Sequence, residues 1–141
     1  MRHTARWVLA AAALWTAAAC TPPADRNVLR ARTDSLLFEI SSNPSPPHAR
    51  ERTRYRVVVR DKDSRQPIEG WEGQIFASTR DGADIYDPLL PGQELGTYYG
   101  TLNYVIAGEW AVAIRIRRDS TSQFQRVDWM QDVLGERPSV P

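Results

Sequence analysis

Few side chains in this 141-residue sequence have both the type and the spacing for chemistry. Cys20 is its one cysteine, so the chain cannot form an internal disulfide and its fold must stand on its core. Beyond residue 19 the only imidazole is His48 and the only methionine is Met130. Copper sites need soft or imidazole donors in clusters. His48 instead lies in a proline-rich stretch, far along the chain from Met130. Asp81, Asp84 and Asp87 form the one dense run of carboxylates. The Asp-Gly step there is like a calcium loop, but the full series of oxygens closing on Glu is missing, so the run reads as an ordinary solvated loop. Hydrolysis by a nucleophile needs a Ser or Cys with a base held beside it. His48 is the only imidazole available, and there is no Gly-x-Ser-x-Gly element. No spacing marks two acids as a pair for glycoside cleavage. The expectation is a protein that is not an enzyme, with no metal ligands and no cofactor.

Cys20 has a context that gives it another use. Met1 to Arg6 is a short basic start, and Trp7 to Ala19 is an uncharged run of 13 residues rich in Ala and Leu. A membrane-spanning helix needs about 20, so the run fits a helical signal peptide over 1–19. It closes on Ala17-Ala18-Ala19-Cys20, which resembles the bacterial lipobox. The resemblance implies cleavage before Cys20, lipid on its sulfur and amine, and membrane attachment through that lipid. Thr21 after the Cys favours the outer membrane over the inner one. Ala17 stands where lipoboxes favour Leu, and Ala-x-Ala also suits the ordinary signal peptidase, so plain secretion is the alternative.

Charge excludes one class of partner. Arg2 and Arg6 belong to the signal, which leaves 16 basic against 17 acidic residues. A nucleic-acid binder needs a concentrated basic face, and this balance does not supply one.

The elements that must position any site read as strands. Residues 20–34, with Pro22, Pro23 and three arginines, read as a flexible tether after the lipidated Cys. A domain is expected over 35–130, and 131–141 reads as a C-terminal tail. Leu36, Phe38 and Ile40 alternate with Leu37 and Glu39, and Tyr55, Val57 and Val59 alternate with arginines and Val58. Trp71, Gly73, Ile75 and Ala77 share a face, as do Tyr98, Gly100, Leu102 and Tyr104. Trp110, Val112, Ile114 and Ile116 form the clearest strand, and Phe124 to Trp129 a last one, with one helical turn near 129–134. About seven short strands with turns between them predict an all-β, immunoglobulin-like antiparallel sandwich with Trp71 and Trp110 in its core. Phe76, Tyr99 and Trp129 fall on positions that point outward, and they are the expected partner surface. Glu72 is expected to pair across strands with Arg115 or Arg117.

Several short elements follow one another in a set order: Ser42-Asn43-Pro44-Ser45-Pro46-Pro47, the turn from Asp61 closing on Pro67-Ile68, and Gly70-Trp71-Glu72-Gly73. Gly96-Thr97-Tyr98-Tyr99-Gly100 and Ala107-Gly108-Glu109-Trp110 complete the set, and their mutual spacing is the most specific part. This order resembles the YtkA-like family, whose relatives include FixH-type proteins and which has a small residue where Trp71 stands. The resemblance implies an immunoglobulin-like sandwich on an envelope or membrane-anchored protein. It also implies a context of copper handling or respiratory-complex assembly, although no ligand residue carries over. The leading expectation is a lipid-anchored, non-catalytic binding or accessory protein that faces the periplasm and serves another envelope protein. The alternative is a metal-handling accessory.

Overall fold

The structure is a computed structural model that describes residues 27–139. The expected signal peptide and Cys20 lie outside them. Every element among the described residues is a strand: β1 Leu29–Arg32, β2 Leu36–Asn43, β3 Arg52–Asp61, β4 Glu72–Ser78, β5 Asp84–Pro91, β6 Thr97–Asn103, β7 Gly108–Arg117 and β8 Gln125–Val133. All pairs are antiparallel, in the order β1-β2-β3-β6-β5-β4-β7-β8. The β2-β3-β6 and β4-β7-β8 groupings are those of the two sheets of an immunoglobulin-like sandwich. The expected fold class therefore holds. The strand that joins the two sheets is β5. It pairs with β4 from Asp84 to Leu89, then with β6 through Leu90 and Pro91, so the ladder runs on almost into a closed barrel.

The inward faces follow the alternation in the sequence. Leu36, Phe38 and Ile40 of β2, Tyr55, Val57 and Val59 of β3, Tyr98 and Leu102 of β6, and Trp110, Val112, Ile114 and Ile116 of β7 are all buried. Burial of β-branched and aromatic side chains on facing pleats is the main stabilising term, and it needs no disulfide. The glycine–tyrosine element has a steric reason. Gly96 has φ +71, and a Cβ there would lie 2.7 Å from Pro67 Cβ and 2.8 Å from the carbonyl oxygen of Val59. Two residues on, the Tyr98 hydroxyl donates to the Ile68 carbonyl at 2.8 Å and accepts from the Trp71 amide. The pair therefore ties the turn after β3 onto β6.

The structure differs from the sequence reading in five places. The region read as tether contains β1, paired with β2 from Leu29↔Ile40 to Arg32↔Leu37. The loop expected at Asp81–Asp87 is in large part β5. The helical turn near Trp129–Leu134 is absent, because β8 continues to Val133 on its ladder with β7. The domain accordingly extends past residue 130: the amide of Leu134 donates to the Pro47 carbonyl, and that of Ala49 to the Leu134 carbonyl. Trp71 is half-buried against the core, with the guanidinium of Arg118 5.8 Å from its ring, whereas Trp110 is fully buried.

Candidate functional site

The outer face of the β5-β4-β7-β8 sheet carries the densest set of recognition-type side chains. Phe76 breaks the alternation of β4: Ile75 and Ala77 point to the core, so Phe76 must stand on the outside. The registers Phe76↔Tyr86 and Gln74↔Arg115 put Tyr86 of β5 and Arg115 of β7 beside it. Arg115 pairs in turn with Arg126 of β8. The guanidinium carbons of Arg115 and Arg126 lie 5.8 and 5.0 Å from the centre of the Phe76 ring. Phe124, in the turn before β8, is covered in the same way by Arg115 at 4.9 Å and Arg117 at 4.5 Å. Aromatic rings and arginines thus interleave across three strands. Cation–π contacts of this kind contribute about 0.5–1 kcal/mol each when exposed.

Neighbouring polar groups hold these arginines in place. Arg115 donates to Gln74 Oε1 through Nη2 at 2.7 Å and Nε at 3.1 Å. Arg117 pairs with Glu72, and Arg126 with Asp128 at 2.6 Å. The expected cross-strand partner of Glu72 is therefore Arg117. The Asp128 carboxylate keeps the Arg126 guanidinium charged beyond its ordinary range. Tyr86 is the most exposed large side chain of the set at 72 %, and Phe124 is 42 % exposed. Rigid aromatics with fixed guanidiniums are the composition of protein–protein contact surfaces.

The three aromatics expected to form a partner surface do not come together. Phe76 lies on the face just described. Tyr99 lies on the outer face of the other sheet, with the guanidinium of Arg54 4.1 Å over its ring. It lines a groove of about 740 Å³ with Arg54, Asp87 and Glu94, where β5 parts from β6. Trp129 is a correction. It lies on the inward side of β8 with Val127 and Val133, packs against the core, and its ring centre is 6.1 Å from that of Tyr55. The sequence reading missed Tyr86, Phe124 and Arg126. Tyr86 could have been flagged as an aromatic between two aspartates. The other two become neighbours of Phe76 only through the β4-β7-β8 register.

The chemistry-bearing residues are spread out. His48 is half-buried, with Nδ1 2.9 Å from the Gly135 carbonyl oxygen. It bridges to Leu134, so it is a clasp between the 44–51 segment and the chain after β8. Asp87 accepts the Thr101 amide at 2.7 Å, while Asp81 sits in the turn before β5. Among the described residues no three His, Cys, Asp or Glu side chains converge as a metal site would require. Inside the core the Tyr55 and Tyr104 hydroxyls meet at 2.5 Å, and Tyr104 packs edge-on against Trp110 at 5.2 Å.

No family model matches the chain, and no curated protein matches it. Among solved structures it is similar to a DUF4426 family protein from Pseudomonas aeruginosa, with 12% identity and a TM-score of 0.61, covering 81% of this chain and 100% of that one. It is also similar to a copper-bound variant of FetP from uropathogenic Escherichia coli, with 10% identity and a TM-score of 0.55, covering 81% and 96%. At these identities the shared property is the fold, which spans nearly the whole of both neighbours.

Proposed function

We propose that this chain is a lipid-anchored envelope protein that binds another envelope protein through the outer face of β5-β4-β7-β8, without catalysing a reaction. The observation that carries the reading is the interleaving of Phe76 and Phe124 with Arg115, Arg117 and Arg126, next to the exposed Tyr86. Those rings lose little conformational freedom on binding, because the arginines already hold them. The anchor rests on the lipobox-like run ending at Cys20, and the YtkA-like resemblance supports the same placement in the envelope.

Two experiments test the two halves. Cys20→Ser should move the protein from the membrane to the soluble fraction and leave the domain folded, since stable attachment requires acyl chains buried at about 0.8 kcal/mol per CH₂. Equal membrane retention of the variant would remove the anchor from the reading. For the binding face, a photo-crosslinking residue at Tyr86 should trap one envelope protein reproducibly. The same residue at Leu95, 65 % exposed in the turn between β5 and β6, should not. Phe76→Asp should abolish the crosslink from position 86 while the thermal unfolding transition persists. Equal trapping from both positions would refute the assignment of the face.

The second reading, metal handling, draws on the copper named for FetP and on the context of the YtkA-like family. Copper takes several soft or imidazole donors, and outside Cys20 the exported part offers His48 and Met130. The domain is expected to hold no stoichiometric copper after dialysis against a weak chelator. One copper per chain by elemental analysis, lost on His48→Ala, would favour metal handling over partner binding.

A further inference from the structure

The antiparallel registers put eight strand termini at one end of the sandwich. Leu29 opposite Ile40, Asn43 opposite Arg54, Arg52 opposite Asn103, Ser78 opposite Asp84 and Gly108 opposite Val133 all lie there. The described chain therefore begins, at Asn27, at the same end as the connection between β6 and β7. That connection presents Val105 and Ile106, 50 % and 48 % exposed. It is held in shape from below. The indole nitrogen of the fully buried Trp110 donates to the Ile106 carbonyl at 3.1 Å, and the Arg50 amide donates to the Tyr104 carbonyl at 2.7 Å. With both carbonyls fixed inward, two branched apolar side chains stand at the tip facing solvent. Exposed Met130 and Leu134 extend the apolar surface at this end.

We infer that this end of the domain rests on the bilayer, with Val105 and Ile106 seated in the lipid interface. The inference rests on the lipid anchoring proposed above. Cys20 precedes Asn27 by seven residues, and a fully extended chain covers at most about 3.6 Å per residue, so the anchor holds this end within about 25 Å of the lipid surface. The opposite end, with the turn at 92–96, lies a strand length away, about 30 Å for strands of this size. A membrane is therefore the surface that Val105 and Ile106 meet at the highest effective concentration. The surrounding charge is mixed: Arg50 pairs with Glu136 and Arg137 with Glu51, while Arg80 stands beside Asp81. The contact is consequently apolar in character and largely indifferent to anionic lipid.

The test uses the intact lipoprotein on vesicles of phosphatidylethanolamine and phosphatidylglycerol. Lipid blocks the Cys20 thiol, so Ile106→Cys or Gln93→Cys gives a single labelling site for a nitrobenzoxadiazole probe. Gln93 is exposed at the far end. The probe at 106 should emit further to the blue and be bleached by aqueous dithionite roughly three-fold more slowly than the probe at 93, as expected for residues seated in the headgroup boundary. Adding Val105→Asp should abolish that protection, and vesicles of phosphatidylcholine alone should give the same result as the anionic ones. Equal bleaching at 106 and 93 on protein that floats with the vesicles overturns the inference alone. Protein that does not float overturns the anchoring and this inference together. Protection at 106 that persists in an unlipidated Cys20→Ser chain without vesicles indicates a second copy of the chain on the loop, and also overturns it.

Discussion

Trp110→Ala is expected to lower the unfolding free energy by about 3–5 kcal/mol, the range for removing a large aromatic from a packed core. Small domains have a total of about 5–15 kcal/mol, so the variant should be near the limit of folding. The indole is fully buried on the central strand of its sheet, edge-on to Tyr104 and donating to the Ile106 carbonyl. Alanine removes both contacts and the buried volume, and the strands on both sides of β7 restrict collapse into the void. Arg115→Ala, five residues along the same strand and on its outer face, should cost about 1 kcal/mol or less. It loses two exposed hydrogen bonds to Gln74 and its stacking on Phe76 and Phe124. Urea unfolding of the two variants side by side is the measurement. Comparable losses would mean that the two faces of β7 have been assigned wrongly.

Stability should also fall steeply in alkali. The hydroxyls of Tyr55 and Tyr104 share one hydrogen bond inside the core, and burial pushes Tyr55 up to about 12. Burial raises Tyr104 as well, and a charge on Tyr55 would raise it further. Both folded-state values lie above that of an unfolded tyrosine, which is about 10. The stabilisation is therefore complete below pH ~10 and is lost as pH rises through the folded values, because the unfolded chain releases its phenolic protons first. The urea midpoint should stay level from pH 7 to 9.5 and fall between pH 10 and 12. The double variant Tyr55→Phe, Tyr104→Phe should fall less over the same interval. A wild-type midpoint that does not move up to pH 11.5 would contradict the burial of the pair.

How far the sequence could be read depended on whether a strand is patterned by one face or by two. The β3, β6 and β7 strands set an apolar face against a charged or small one, and their facings were legible, including the buried Tyr104 and Trp110. The β5 strand was not, because Pro88 and Pro91 and its aspartates are turn residues in most settings. Here β5 changes sheets, so Pro88 and Pro91 sit in a ladder that is already interrupted. The β1 strand was hidden for another reason. Leu29-Arg30-Ala31-Arg32 is an edge strand with one partner, and its arginines are what an edge requires. Phe76 was legible as the exception in its own strand, but the arginines that cover it come from β7 and β8, and only register brings them there. Trp129 is misplaced only when the strand is taken to end there: carried on to Val133, the alternation sets Val127, Trp129 and Val133 against Arg126, Asp128, Met130 and Asp132, and the ladder pairs Trp129 with the buried Val112.

The linking role of β5 and the pairing of strands far apart in sequence also set the tempo of folding. β3 meets β6, and β4 meets β7, only after roughly thirty intervening residues or more have been gathered in each case. Closing such loops costs chain entropy before any burial offsets it. The hairpins β2–β3 and β7–β8 can form early, but each has its apolar side open until the opposite sheet arrives. Domains with this kind of long-range pairing fold in milliseconds to seconds. During that interval the apolar faces of both hairpins are available to chaperones, to proteases and to other unfinished chains.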